Sequence, residues 1–233
     1  MSILKVMSTD VVPVIAIDGP SASGKGTVAE LTAQELGFRY LDSGAIYRVT
    51  AYASAQAGIA LDDEERLAAM ASGLDLRFAD GRVFLEGKDV TLAVRSEEAG
   101  NDASKIAVLP ALRKALLNRQ RNFLQRPGLV ADGRDMGSVV FPDAVLKIYL
   151  TASTEARAER RHKQLKQKGI HANLAATLED LRLRDQRDSG RSAAPLKICE
   201  DAVVLDTTNL GVDDAVKLVV EKYRSINLAR GSL

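Results

Sequence analysis

The sequence contains no tryptophan, a single cysteine and two histidines, and aromatic residues make up 4% of its 233 positions. One cysteine cannot form an intramolecular disulfide, and His162 and His171 have no neighbours with the spacing of a structural metal site. The scarcity of aromatic rings disfavours a protein that stacks the bases of a single strand. Because the formal net charge is only +1, we expect no nucleic-acid partner.

Long hydrophobic runs are also absent. No segment approaches the roughly 20 apolar residues that would cross a bilayer, and residues 1–10 lack the apolar core of a secretory signal. Together with the single cysteine, this predicts a soluble cytoplasmic protein without a membrane partner. A chain of this length buries about 70% or more of its unfolded surface, so it needs no disulfide or structural metal to fold. No heptad seam is present, and we expect a monomer.

A glycine-rich segment follows the apolar run at 11–17 and precedes a helix-like stretch at 28–36, which is predicted to end at Gly37 in a left-handed cap. This strand, loop and helix context is that of a phosphate-binding P-loop, in which backbone amides and a helix dipole hold phosphate and Lys25 adds a full positive charge. The alternative is a glycine-rich turn that only connects a strand to a helix. The residues predicted to bind ATP phosphates here are Gly19, Ser21, Ala22, Ser23, Gly24, Lys25, Gly26 and Thr27.

One position departs from the general P-loop pattern. The residue after Lys25 is Gly26, and the hydroxyl-bearing side chain comes one position later, at Thr27. Because the usual direct ligand is missing, we expect Mg²⁺ to be held mainly through water and phosphate oxygens, with no firm protein ligand. This Gly-Lys-Gly-Thr ending resembles the nucleoside monophosphate kinases more than GTPases or ATPase motors.

Strand-like and helix-like segments alternate along the chain, which predicts an α/β fold. We expect a three-layer P-loop NTPase core with a doubly wound parallel sheet, interrupted by two insertions. The first insertion contains period-two segments on either side of Asp80-Gly81, which predict a small antiparallel hairpin. Apolar residues at helical spacing predict a helix over 110–126. The second insertion contains charged helical segments. We assign 11–42, 128–153 and 195–233 to the core, 43–127 to the first insertion and 154–194 to the second.

Polar clusters follow three predicted strands, at the sheet edge where doubly wound folds bind ligands. They are the P-loop, residues 42–48 and the segment Asp132-Gly133-Arg134-Asp135. Asp42-Ser43 is also a candidate cap for the helix that follows it. In the last cluster, Asp132 is a candidate for orienting magnesium-bound water or an acceptor phosphate, and Arg134 for gripping that phosphate. The alternative is a tight turn whose acids cap the next element.

Phosphoryl transfer requires in-line placement and positive charge more than it requires a general base. An acceptor that is itself a phosphate is already anionic, so the absence of a candidate catalytic His or Cys is no obstacle. Arginines are then the expected catalytic groups. The basic segment 155–191 predicts a lid that closes over the phosphates. Arg157, Arg160 and Arg161 are candidates for contact with ligand, and Arg157 and Arg161 are assigned to the ATP phosphates. The alternative is a solvated helix face with ion pairs.

Five motifs together resemble the bacterial cytidylate kinase family. They are 19–27, Leu-Asp-Ser-Gly-Ala-Ile-Tyr-Arg (41–48), Ala-Asp-Gly-Arg-Asp-Met-Gly (131–137), Val-Phe-Pro-Asp-Ala (140–144) and Arg-Asp-x-Arg-Asp (184–188). The resemblance extends from Pro13 to Tyr223. It implies that the first insertion binds the acceptor nucleotide and the second is a helical lid. It also implies phosphoryl transfer from Mg-ATP to CMP or dCMP, giving ADP and CDP or dCDP.

The resemblance also implies site residues. Arg48 and Arg134 would hold the acceptor phosphate, and Arg191 would approach the transferred group. A buried carboxylate such as Asp135 would favour cytosine, which offers an amino donor, over uracil, which offers a carbonyl. The residues implied to bind CMP are Ser43, Arg48, Ser104, Arg113, Asp132, Arg134, Asp135, Arg184 and Asp188. The residues implied to be catalytic are Lys25, Arg134, Asp132 and Arg191.

Several alternatives remain open at this point. Ser104 could instead cap a helix, and Arg113 could be a solvated helix residue. The chain could phosphorylate another small acceptor, either a different nucleoside monophosphate or a shikimate-like metabolite. A non-kinase nucleotide-binding ATPase, whose basic lid contacts nucleic acid, is the alternative from a different class.

Overall fold

The computed structural model describes residues 11–79, 81–167, 169 and 171–231. The predicted turn residue Asp80 and residues 1–10 lie outside the described residues. Within the described part of the chain, five parallel strands form a central sheet in the order β2-β6-β1-β7-β8. In chain order, these strands are β1 (Val14–Asp18), β2 (Arg39–Asp42), β6 (Leu129–Gly133), β7 (Leu146–Thr151) and β8 (Val203–Asp206).

Helices cover both faces of this sheet because alternate β1 side chains point in opposite directions. Val14 and Ala16 pack into one buried cluster, and Ile15 and Ile17 pack into another. The second cluster is closed by α1 (Lys25–Leu36) and α9 (Val212–Gly231). The first is closed by α2 (Ser43–Gln56), α3 (Glu64–Gly73), α5 (Glu97–Ile106) and α6 (Pro110–Arg121). The predicted three-layer, doubly wound α/β core is confirmed.

The first insertion contains the predicted hairpin, formed by β3 (Leu76–Ala79) and β4 (Arg82–Leu85). A third short strand, β5 (Lys88–Asp89), extends this antiparallel sheet and was not predicted. Helices α4 (Thr91–Val94) and α5 were also not predicted from the sequence. The helix predicted for 110–126 ends at Arg121.

Two helices form the second insertion, namely α7 (Thr154–Gln167) and α8 (Leu174–Gly190), which pack against each other. A five-residue π-helix, Met136–Val140, follows β6 and lies between the cluster at 132–135 and β7. The assignment of the three chain regions as core, acceptor-binding insertion and lid stays a prediction. Among the helices of the described residues, none combines the length and apolar character needed to cross a membrane.

Candidate active site

The glycine-rich segment connects β1 to α1 at the carboxyl end of the sheet. Gly19 packs against β7 so closely that a Cβ atom there would lie 2.0 Å from the carbonyl oxygen of Leu150. Gly24 has a φ of 92°, a conformation that favours glycine, and it precedes the first turn of α1 without a side-chain cap. The first backbone N–H groups of α1 are therefore open to an anion, and the helix dipole favours negative charge there.

Lys25 is the first residue of α1 and is only 8% exposed. Its ammonium group donates a hydrogen bond to the carbonyl oxygen of Pro20 at 3.1 Å. Burial, followed by the charge of Arg134, lowers the pKa of Lys25 to about 8. A buried ammonium with one protein acceptor among the described residues is suited to bind an anionic phosphate, which would restore its usual pKa.

Asp132 explains why glycine follows Lys25. A Cβ atom at Gly26 would lie 3.0 Å from the Oδ2 atom of Asp132, so this carboxylate occupies the space beside the first turn of α1. Burial, followed by the charge of Asp42, raises the pKa of Asp132 to about 7. Cationic ligands placed here would stabilise the ionised carboxylate.

The same carboxylate is the feature that fits Mg²⁺. The described residues contain no group of three or more His, Cys, Asp or Glu side chains able to hold a metal ion. Mg²⁺, however, is usually bound in kinases by one or two carboxylates together with water and substrate phosphates. Asp132 is a buried oxygen donor against the P-loop, and the described residues donate no hydrogen bond to it. These residues therefore fit Mg²⁺ held largely through water.

On the other side of the cleft, Asp42 ends β2 and caps α2. One carboxylate oxygen accepts a hydrogen bond from the Ala45 N–H at 2.8 Å, and the other accepts from the Arg48 guanidinium at 2.7 Å. Ser43 packs against β6, because a Cβ atom at Gly133 would lie 2.5 Å from its hydroxyl oxygen. This packing places the cation of Arg48 beside the carboxyl end of the sheet.

Arg134 connects the P-loop to α8. Its Nε donates to Asp188 at 2.6 Å, and its Nη2 donates to the Ser21 hydroxyl at 2.7 Å. Burial alone would raise the pKa of Asp188, but the Arg134 guanidinium outweighs this effect and the pKa is lowered. Arg134 is thus a fixed cation between the phosphate-binding loop and the second insertion.

Asp135 lies at the centre of a buried charged cluster. Arg113 donates a hydrogen bond to its carboxylate, and the Nη2 atom of Arg191 lies 3.8 Å from its Oδ1. Arg113 also lies 5.7 Å from the ring centroid of Tyr47. The Ser104 hydroxyl is buried without a hydrogen-bond partner among the described residues. Because buried polar groups normally form hydrogen bonds, the unpaired Ser104 hydroxyl indicates a binding site for a polar ligand.

Arg191 was predicted to approach the transferred phosphoryl group. The structure places it beside Asp135, and its Nε donates to the Ala194 carbonyl oxygen at 2.5 Å. Its Nη2 has no hydrogen-bond partner among the described residues. Burial, followed by repulsion from Arg113, lowers the pKa of Arg191. Arg191 lines the cleft, and the donor atom Nη2 is available to an anion that enters there.

The predicted lid arginines occupy different environments. Arg157 is 3% exposed and donates to the Ser21 carbonyl oxygen at 3.0 Å and to Asp185 at 2.7 Å. It does not line the cleft, so contact with an ATP phosphate would require these hydrogen bonds to break. Arg161 does line the cleft and lies 3.3 Å from Glu97 of α5.

Arg184 also connects α8 to α5. Its Nε and Nη2 donate to the Asn101 side-chain oxygen at 2.9 and 2.7 Å, and its Nε lies 3.1 Å from Asp180. Together with the Arg161–Glu97 pair, these contacts bring the second insertion against the first. The two insertions therefore meet above the carboxyl end of the sheet.

These elements enclose a cleft of about 840 Å³. Of the predicted site residues, only Gly19 and Arg157 are missing from its lining. The cleft also includes Arg160, a candidate from the sequence, and residues that were given no role from the sequence, among them Asp42, Tyr47 and Thr207. Tyr47 follows Ser43 by one helical turn, and this spacing could have identified it. No local pattern links Arg160 to Thr207, whose hydroxyl accepts from it at 3.1 Å.

Comparison with known proteins gives a clear result. The profile of the cytidylate kinase family matches residues 15–225. The chain belongs to the cytidylate kinase family. The cytidylate kinase of Paraburkholderia phymatum is 59% identical over 214 residues, which cover 92% of this chain and 94% of that protein. The cytidylate kinase of Nitrosomonas europaea is 57% identical over 212 residues, covering 91% and 95%.

Solved structures give a more distant match. A gluconokinase from Sinorhizobium meliloti 1021 aligns with 95% of this chain and 98% of its own, at 17% identity and a TM-score of 0.49. Membership in the cytidylate kinase family confirms the resemblance drawn from the five motifs and identifies a nucleoside monophosphate kinase, a transferase. The roles of individual residues stay predictions.

Proposed function

We propose that this cytidylate kinase family member transfers the γ-phosphoryl group of ATP to CMP or dCMP, giving ADP and CDP or dCDP. The position of Arg134 is the main support for this proposal. It donates to Ser21 of the P-loop and directly precedes Asp135, which pairs with Arg113. One fixed guanidinium therefore lies between a site for a polyphosphate and a polar pocket for a second nucleotide.

On the donor side, the P-loop amides and the Lys25 ammonium bind the β- and γ-phosphates of ATP. Asp132 would hold Mg²⁺ through water, and the ion would supply positive charge that offsets the charge of these phosphates. The ionised form of Asp132 is required for this role. The high pKa of Asp132 is consistent with a buried carboxylate whose ionised form a bound cation would stabilise.

On the acceptor side, Arg48 and Arg134 hold the CMP phosphate in line with the γ-phosphorus of ATP. A phosphate oxygen of CMP attacks the γ-phosphorus while the bond to the β,γ-bridging oxygen breaks, and ADP leaves. Guanidinium groups stabilise the negative charge on the transferred group, and Arg191, which lines the cleft beside Asp135, is one of them. No general base is needed, since the attacking oxygen is anionic near neutral pH.

Base selection follows from the cluster around Asp135. Its carboxylate accepts a hydrogen bond from the cytosine amino group, whereas the uracil carbonyl would face it with a second acceptor. The Ser104 hydroxyl, which lacks a partner among the described residues, completes the base contacts together with Arg113. Asp188 and Arg184 contact the sugar. A mismatched polar group in such a pocket can reduce reactivity by up to about 10⁴-fold.

The test is a panel of acceptors offered with Mg-ATP. CMP, dCMP, UMP, AMP and shikimate are compared by the rate of ADP release, with water alone as the control for ATP hydrolysis. We expect kcat/KM to be largest for CMP and dCMP. A preference for shikimate would contradict the proposal, as would hydrolysis that needs no acceptor. We further propose that the protein is a cytoplasmic monomer, which light scattering and cell fractionation test directly.

A further inference from the structure

Asp18 is a buried carboxylate that none of the roles above uses. It is the last residue of β1 and directly precedes Gly19 of the P-loop. Asp18 is only 6% exposed, and it is not one of the described residues that line the cleft. Its carboxylate therefore acts through other groups of the protein rather than on a nucleotide.

Each oxygen of this carboxylate accepts a hydrogen bond from the start of the π-helix Met136–Val140. The Met136 N–H donates to Oδ1 at 2.9 Å, and the Gly137 N–H donates to Oδ2 at 2.8 Å. The first N–H groups of a helix have no partner within it, and negative charge is favourable at that end. Asp18 thus caps a helix that begins 118 residues later in the chain.

Glycine at position 137 leaves room for the side chains of Lys147 and Asp18. A Cβ atom at Gly137 would lie 3.1 Å from the Cδ atom of Lys147 and 3.5 Å from the Oδ2 atom of Asp18. Burial raises the pKa of Asp18 to about 6, against the opposing effect of the two hydrogen bonds. The carboxylate is therefore ionised at neutral pH, and hydrogen bonds to an ionised acceptor are about twice as strong as neutral ones.

Asp18 also restrains the residues that precede the π-helix. In the sheet, Asp18 pairs with Gly133, the last residue of β6. Only Arg134 and Asp135 lie between this pairing and the capped N–H of Met136. Both ends of this two-residue segment are consequently attached to the same residue of β1, which is itself continuous with the P-loop.

We propose that Asp18 is a positioning residue that fixes Arg134 and Asp135 relative to the P-loop, and so sets the affinity for the acceptor nucleotide and the selectivity for its base. This inference rests on the proposed function. A displaced Arg134 would misalign the acceptor phosphate, and a displaced Asp135 would weaken its contact with the base. The donor phosphates, bound by the P-loop itself, would be affected least.

The test is Asp18→Asn, which preserves the side-chain volume but replaces one acceptor oxygen with an N–H₂ group facing a backbone N–H. We expect the KM for CMP to rise by about tenfold or more and the CMP/UMP ratio of kcat/KM to fall by about tenfold. The KM for ATP should stay near the wild-type value. In hydrogen exchange, the amides of Met136 and Gly137 should exchange faster than in the wild-type protein.

The matched control is Val220→Ala, which removes volume from the buried cluster between the sheet and α9. It should lower the melting temperature and leave the KM for CMP and the CMP/UMP ratio unchanged. If Asp18→Asn does not fold, the smaller Asp18→Ser removes both carboxylate contacts without placing an N–H₂ group against a backbone N–H, and changes in the same direction are expected. A folded Asp18→Ser protein with wild-type values would count against the positioning role.

A folded Asp18→Asn protein with the wild-type KM for CMP and the wild-type CMP/UMP ratio would overturn the inference. So would equal losses of these properties in the Val220→Ala control. Failure of the wild-type protein to phosphorylate CMP would instead remove the proposed function. In that case, unchanged exchange at Met136 and Gly137 would refute the positioning role, and faster exchange would support it.

Discussion

Replacement of Asp135 by asparagine separates base selection from ATP binding. The side chain of Asp135 is 6% exposed and pairs with Arg113 and Arg191, whose side chains are 10% and 3% exposed. The substituted side chain would keep the volume and one acceptor oxygen but lose the negative charge. Because an amide group can rotate to donate to a carbonyl, the substitution removes the penalty against uracil.

The expected magnitudes follow from this burial. Removing one partner of a buried ion pair costs about 3–5 kcal/mol, and the oxygen that remains for Arg113 places Asp135→Asn near the lower limit. For a chain of this length, that corresponds to a melting temperature lower by roughly 6–12 °C. The CMP/UMP ratio of kcat/KM should fall by about 10²–10³-fold, within the range that a mismatched polar pocket can supply.

Both effects are measurable on one preparation. ADP release with CMP or UMP at saturating Mg-ATP gives the selectivity ratio, and thermal denaturation gives the stability loss. Asp143→Asn is a suitable control, because it removes a negative charge at an exposed position outside the cleft. A folded Asp135→Asn protein with an unchanged CMP/UMP ratio would refute the base-reading role.

Three further substitutions test other parts of the site. Lys25→Ala should lower kcat by about 10³-fold or more because it removes the P-loop charge, and turnover near the wild-type rate would contradict this. The folded-state pKa of Asp132, about 7, is higher than the usual aspartate value of 3.8. Wild-type stability should therefore fall as pH rises between 4 and 7, so urea denaturation should find Asp132→Asn more stable at pH 8 by roughly 2–4 kcal/mol and equal near pH 4. Arg157→Ala leaves Asp185 unpaired and should cost about 3 kcal/mol in the same assay; a loss below about 1 kcal/mol would argue against the buried contact.

The sequence predicted the core well where the signals are local. The P-loop, the helix that follows it and the glycine that ends this helix are adjacent in the chain, and Gly37 has the expected left-handed conformation with a φ of 65°. Asp42 was likewise predicted to cap α2, and it does. Each of these predictions depends on residues within one or two helical turns.

Elements that depend on distant contacts were missed. Helix α5 begins at a regular cap, Ser96, but Gly100 weakens its helical pattern, and its apolar residues Ala103 and Ile106 are defined by packing in the first buried cluster. The π-helix depends on its cap by Asp18, which no local pattern reveals.

Contacts between distant residues were also missed in the candidate active site. Motifs and family resemblance supplied the identities of its residues, but not their partners in the folded chain. The pair formed by Arg134 and Asp188 joins positions 54 residues apart. Arg157 illustrates the converse case, because its charge and position on a basic helix predicted a phosphate contact, whereas tertiary packing gives it protein partners.

The central claim is that one cleft holds a donor triphosphate and an acceptor monophosphate in line. Phosphorus NMR of CMP and Mg-ATP incubated with the protein tests it most directly. We predict that the CMP signal is replaced by the two signals of CDP while ATP is converted to ADP in equal amount. Release of inorganic phosphate without CDP, or an unchanged spectrum from folded protein, would contradict the account.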